Sequence, residues 1–315
     1  MPDVLTSTSA PSQEMQIHYD STFLETAELV RKYSLIAEQK TIPKNGGITV
    51  QFVRTTHFPV ITAAATEGVN PTAVGFSAAN VTATVAEWTY ATKITSLFEL
   101  STIDAGLTQK SKELGYHAGL VMDTELRRVI IAGATAQYAG GKTNITDVNS
   151  TDTFSATELR IGAKTLFENA APTFENGMYR AIVTPTGRYQ LQGDTTTGNW
   201  VNVNIYNGAE NAELVKKGVI GNLMGFDVVP TNNGYSSATV GLGASNTGYW
   251  EILAGKGAVA EVSIAGQGGD YLIIKKANEY DTSNPSNMYG TMAWKVNAYA
   301  AVVLNANWVI KVIHR

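Results

Sequence analysis

The chain has 315 residues, 44% of them hydrophobic and 16% charged, with a formal net charge of -4; that is enough apolar material for a sizeable core in two lobes with extensions. This charge balance excludes a protein whose main work is gripping nucleic acid, which needs a surplus of Lys and Arg. The absence of cysteine excludes disulfide scaffolds, thiolate metal sites and cysteine nucleophiles.

Residues 1–20 are rich in Ser, Thr and Pro without periodicity and read as an arm that waits for a partner. They have neither the basic start nor the apolar core of a secretory signal, and no later apolar run approaches the roughly 18 residues of a membrane span. The chain is therefore expected to be soluble and to stay where it is made. Thr22 and Glu25 have capping-box spacing, and Phe23, Ala27, Val30 with Leu29, Tyr33, Ile36 predict a short helix ending near Gln39. Ile42-Pro43-Lys44-Asn45-Gly46-Gly47 must turn the chain. From Ile48 to Arg54 the side chains alternate with period two, a strand. Thr55 to Asn80 carries Pro59, Gly68, Pro71 and Gly75 and no helical stripe, and Val81 to Leu100 returns as strand with one break in phase. Two strands around a long tip make an extended hairpin of Ala, Thr and Val, marginal by itself in water and suited to lie flat on another chain.

The strongest helical signal follows. Leu107, Leu114, Ala118, Val121, Met122, Leu126, Val129 and Ile130 recur at spacings of three, four and seven, with Ser101 or Thr102 to cap the start, Asp104 in the first turn and Gly133 at the stop. At about 1.5 Å per residue this helix spans roughly 45 Å. Its polar side mixes Lys, Arg, Asp and Glu, which fits a solvated or subunit-facing surface.

Ala134 to Phe154 reads as loop, and Ser155 or Thr157 opens a second helix through Leu159, Ala163, Leu166 and Phe167. Tyr179 to Val183 is a strand, punctuated afterwards by Pro185, Gly187 and Gly193; a short helix near 209–218 leads into a strand-turn-strand at 219–230. Asn232 to Gly248 reads as loop, and Trp250–Leu253, Ala258–Ile264 and Tyr271–Lys275 as strands, giving a compact α+β lobe. Met292 to Ala298 and Trp308 to Ile313 alternate again, with Asn305-Ala306-Asn307 as the turn between two strands expected to pack on the long helix.

Catalytic signals are weak. Ala136-Gln137-Tyr138-Ala139-Gly140-Gly141-Lys142-Thr143 fits a relaxed phosphate-loop pattern, but that mechanism needs a strand before it and a helix after Lys142, and here a helix precedes and polar loop follows. Gly241-Leu242-Gly243 and Gly266 to Gly269 complete no dinucleotide fingerprint. His18, His57, His117 and His314 share no ligand spacing, and His117 reads as a packed or interface residue. No catalytic, cofactor or metal residue is assigned.

The order of parts resembles the tailed-phage major capsid fold, an α+β architecture, and more closely the family typified by the coat protein of phage N4. The matching stretches are Thr41 to Gly47 with Val50-Gln51-Phe52-Val53-Arg54, Thr66-Glu67-Gly68-Val69-Asn70-Pro71, and Trp294-Lys295 with Ala300 through Trp308. Lys217 to Gly221 with Gly225 to Val229 also fits, while the rest of 140–285 departs most. The resemblance implies an N-terminal arm with a short helix at 1–46, an extended hairpin or E-loop at 47–100 and the spine helix of a peripheral domain at 101–133. It further implies an axial α+β domain at 134–285 and C-terminal strands at 286–315 that pack back on the core. It implies many copies forming pentamers and hexamers of an icosahedral shell around double-stranded DNA, in a virion assembled in the bacterial cytoplasm. Scaffolding, portal and decoration proteins are the other expected partners, with no cofactor, no membrane and no enzymatic activity. Arg54, Glu67, Gly68, Val69, Asn70 and Pro71 are the expected subunit-interface residues, with ordinary surface exposure as the alternative for Arg54 and Glu67. The competing functions are a nucleotide-binding enzyme using 136–143, and a monomeric binding module or tail component.

Overall fold

A 29-residue helix, α3 (Ala105–Gly133), bridges two β-sheets. The computed structural model describes residues 13–55, 62–70, 73–75, 78–101, 105–194, 221–238, 247–264, 272–275 and 284–315. Thr102 and Asp104, expected to start the long helix, and the helix expected at 209–218 lie outside them. Before α3 run α1 (Gln13–Val30), β1 (Ala37–Ile42), β2 (Thr49–Thr55), β3 (Ala78–Thr84), β4 (Ala86–Thr95) and α2 (Ser96–Ser101). After it come β5 (Thr135–Tyr138), α4 (Ala156–Glu168), β6 (Tyr179–Val183), α5 (Pro185–Gly193), β7 (Asn222–Leu223), β8 (Phe226–Pro230) and β9 (Tyr235–Ser237). The remainder is β10 (Gly248–Ala254), β11 (Val259–Ile264), β12 (Leu272–Lys275), β13 (Tyr289–Val303) and β14 (Val309–His314).

The first sheet is centred on the 15-residue β13, which pairs antiparallel with β4 and with β11 and β12; β1 adds to β11 in parallel. The N-terminal half of α3 lies on this sheet, burying Leu114, Ala118 and Met122 against Met292, Trp294 and Tyr299. The second sheet runs β5-β14-β10-β6-β8-β7, with β9 on β10, and packs against α4 and α5 through Leu159, Leu166 and Leu191. The C-terminal half of α3 fills the junction between the sheets. Leu126 and Ile130 are 0% exposed there, and truncating such a residue to Ala costs about 2–5 kcal/mol.

α1 lies along α3 in the same direction, and the approach is close because two glycines permit it. A Cβ at Gly115 would stand 2.4 Å from the Phe23 carbonyl oxygen, and one at Gly119 would stand 2.5 Å from that of Ala27. Gly115-x-x-x-Gly119 therefore forms a flat seat for the α1 backbone.

Several expectations are corrected. The first helix spans Gln13–Val30, so Thr22 is inside it and its carbonyl accepts from Thr26. Residues 33–39 are not its last turns. Tyr33 and Ile36 have helical spacing but enter the core from a 3₁₀ turn, and Ala37 onward pairs with β11. Ala134 to Phe154 contains a strand, because Thr135–Tyr138 pairs in parallel with β14. Pro185 and Gly187 start α5 instead of breaking the chain: Pro suits the first turn of a helix, and the Thr184 hydroxyl accepts from the Gly187 amide. Within the loop expected at 232–248, Tyr235–Ser237 adds β9 to β10.

The two C-terminal strands do not pair with each other. A 3₁₀ turn at Ala306–Trp308 carries the chain from the first sheet into the second, where β14 lies between β5 and β10. Likewise β11 and β12 belong to the first sheet, so a division at 285/286 does not follow the sheets. The turn at Pro43–Gly47, the strand break at Val85, the strand-turn-strand around Met224 and Gly225, and the strands at β6, β10, β11 and β12 follow the sequence reading.

Two buried polar clusters pin these layers. Glu261 on β11 accepts from Arg31 at 2.7 Å, Ser34 at 3.0 Å and Tyr299 at 2.9 Å, and also from Gln39. Burial works against the Arg31 charge, but the Glu261 carboxylate outweighs it and the guanidinium holds its proton more tightly than usual. Burial, reinforced by Glu261, pushes the Tyr299 hydroxyl above its ordinary range, so it donates as a neutral phenol. In the second sheet Glu251 accepts from the Thr184 amide at 2.6 Å, from the Thr184 hydroxyl and from His314 Nε2 at 2.8 Å.

Candidate assembly surface

β2 and β3 form a two-stranded ribbon in continuous register from Thr49 opposite Thr84 to Thr55 opposite Ala78. The pleat sends Val50, Phe52, Val81 and Ala83 to one side, where they rest on Ile42, Val262, Ala298 and Ala300 of the first sheet. Beyond that footing no described residue outside the hairpin covers Ile48, Val53 or the tip. Ile48, Val53, Val69 and Val74 are each more than 60% exposed, a concentration of bare aliphatic side chains that a neighbouring surface would bury.

Glu67, Gly68, Val69 and Asn70 sit together in one exposed turn at the hairpin tip, where Gly68 adopts φ +78°. Arg54 is exposed on β2, on the same face as Phe52, and no hydrogen bond or ion pair joins it to the tip residues. Pro71 lies outside the described residues. The tip and Arg54 are thus separate points on one extended element.

A groove of about 640 Å³ opens beside β2. One wall is Val50-Gln51-Phe52-Val53-Arg54; the other side carries Glu38 and Lys40 of β1, and the end is closed by Leu304, Asn305, Asn307 and Trp308. Trp308 is fixed there by its indole N–H on the Asn169 carbonyl at 3.0 Å. This groove was not foreseen from sequence, because the closing residues come from two distant segments.

The first residues of the phosphate-loop-like segment, Ala136 to Tyr138, are themselves strand β5 following α3, and a 3₁₀ turn follows at Ile145–Asp147 instead of a helix. The Gly140 amide, which phosphate would need, donates to the buried carboxylate of Glu158 at 3.0 Å. A carboxylate already fills the anion's place. His117 is packed, accepting from the Trp294 indole at 3.2 Å and lying tilted against the Tyr90 ring. His57 lies outside the described residues. No group of three or more His, Asp or Glu side chains is arranged to hold a metal among the described residues, and no described helix is long and apolar enough to cross a membrane.

A bridging helix on a sheet, a second sheet flanked by two helices, and an extended hairpin together define the tailed-phage major capsid fold, and the chain has that fold. Among solved structures it is similar to the capsid of Ralstonia phage GP4, at TM-score 0.65 and 15% identity, covering 89% of this chain and 87% of that one. The capsid of Cyanophage P-SCSP1u matches at TM-score 0.62 and 17% identity over 89% and 86% of the two chains. The capsid of Cyanophage Pam1 matches at TM-score 0.62 and 14% identity over 90% and 92%. No protein-family model and no curated protein matches the chain.

Proposed function

We propose that the chain is a major capsid protein whose copies form the pentamers and hexamers of an icosahedral shell around double-stranded DNA. The observation that carries this is the hairpin: a ribbon with bare aliphatic side chains costs a monomer solubility and makes sense when neighbours bury it. The likeness to three phage capsids over about nine-tenths of the chain supports it. Among such proteins it resembles the N4-type coat proteins, on Thr41 to Gly47 with Val50 to Arg54, Thr66 to Pro71, and Trp294-Lys295 with Ala300 to Trp308. In this reading residues 47–100 act as the E-loop, 101–133 as the spine helix and most of 134–285 as the axial domain. Arg54 and the tip residues Glu67, Gly68, Val69, Asn70 and Pro71 contact adjacent subunits. The protein works in the virion after assembly in the bacterial cytoplasm, has no enzymatic role, and meets scaffolding, portal or decoration proteins as its other partners. Glu158 of α4, which accepts from the Gly140 amide of the Lys142 loop, argues against the nucleotide-binding alternative.

Sedimentation velocity of the purified chain, followed by negative-stain imaging of the heavy fractions, tests this. Rings of five or six or closed shells are expected; one sharp monomer peak at high concentration would count against the reading. Replacing Thr66–Pro71 by a Gly-Ser linker should leave the thermal unfolding of the monomer unchanged and stop shell closure. Particles of normal yield from that variant would remove the hairpin tip from the assembly mechanism.

A further inference from the structure

The groove beside β2 lies between two strand edges that no other described strand pairs. β1 is the outer strand of the first sheet, and β2 has a partner only on its β3 side. The chain passes from one to the other through the Pro43–Gly47 turn, yet the two strands do not pair, and the gap between them is the groove. Five consecutive residues of β2, Val50 to Arg54, line it. Val81 of β3 lines it as well, so the groove takes in the Val50–Phe52–Val81 face of the ribbon together with the free edge of β2. An open strand edge with unpaired amides and carbonyls is a template for an added strand.

We propose that this groove receives the hairpin tip of a second copy of the chain, Thr62–Asn70, with the second copy's Glu67 set on Arg54. The inference rests on the shell reading and names the contact that the hairpin makes. Thr62 to Thr66 is five exposed residues without regular structure, about 17 Å when extended, the same reach as the five lining residues. Three of them, Ala63, Ala64 and Ala65, carry small side chains. The charges also match. Lys40 in the groove is held by Glu38 at 3.0 Å, whereas Arg54 has no carboxylate in ion-pair range among the described residues. Glu67 is the single charged residue in the described tip, and it too has no cation in range among them. Two opposite charges left unpaired in one chain are paired when the tip of the next enters.

The absence of native cysteine gives a clean test. The full-length double variant Gln51→Cys/Ala64→Cys, assembled and then oxidised, is expected to run as a ladder of covalent oligomers that collapses on reduction. Chains carrying either cysteine alone are expected to give no ladder. In parallel, Arg54→Glu or Glu67→Arg is expected to lower particle yield about tenfold or more, and the combined exchange to restore most of it, as for a close charge pair at an interface. Normal particles that give no ladder, ladders from the single-cysteine chains, or unchanged yields in the charge reversals would each overturn the contact while leaving the shell intact. Failure of the natural sequence to form rings or shells, with no ladder at any concentration, would overturn both.

Discussion

Gly119→Ala is expected to destabilise the protein, against the direction that helix propensity gives. In the interior of α3 this exchange would by itself favour folding by about 1 kcal/mol. The new Cβ would stand 2.5 Å from the Ala27 carbonyl oxygen and 3.0 Å from its Cα, backbone atoms that can move only if the whole of α1 moves. Overpacking of this kind costs about 1–3 kcal/mol. Gly119→Leu combined with Gly115→Leu should lift α1 off altogether. Hydrogen exchange reads the result: amides of residues 13–30 should lose protection while those of the C-terminal half of α3, anchored by Leu126 and Ile130, keep theirs. A Gly119→Ala protein more stable than the parent would mean that the helices do not approach as described.

The second large effect is expected at Glu251. Its carboxylate is 0% exposed and accepts from the Thr184 amide, the Thr184 hydroxyl and His314 Nε2. A Cβ on Gly187 would come within 2.3 Å of its Oε1, so α5 is fitted directly over it. Glu251→Ala leaves these donors buried without an acceptor, and a loss of about 3–5 kcal/mol is expected. Glu251→Gln keeps one oxygen and should lose less. As a control, Glu168→Ala removes a solvent-facing carboxylate of α4 and should change stability by no more than about 0.5 kcal/mol. Urea unfolding compares them; equal midpoints for Glu251→Ala and Glu168→Ala would show that the cluster holds nothing together.

What could be read from sequence was what local periodicity controls. The long helix announces itself through Leu114, Met122, Leu126 and Ile130, and the hairpin through alternation around Phe52 and Val81. Periodicity misleads where tertiary packing overrides it: Tyr33 and Ile36 have helical spacing but belong to a 3₁₀ turn, since each is needed in the junction core. Sheet membership was hidden for another reason. β11, β13 and β14 all read as strands, yet nothing local says that β13 and β14 part company at Trp308. The exposure of Arg54 and of the Glu67 turn accords with their polar setting in the sequence, whereas the groove depends on β1 and β2 failing to pair. The Gly115–Gly119 seat had a signal, two glycines four apart inside an otherwise strong helix, which marks a close backbone approach.

The passage of the chain from one sheet to the other at Trp308 bears on how the protein is made. β13 is the inner strand of the first sheet and β14 an inner strand of the second. The first sheet cannot close around β13, nor the second take up β14 and β5, until residues 289–314 have left the ribosome, so both wait on contacts of long sequence separation, which form slowly. A chain stopped before Tyr289 lacks the centre of the first sheet, the β14 link between β10 and β5 in the second, and the Trp308 end of the groove. Such a product leaves unpaired strand edges exposed, which makes it prone to aggregate.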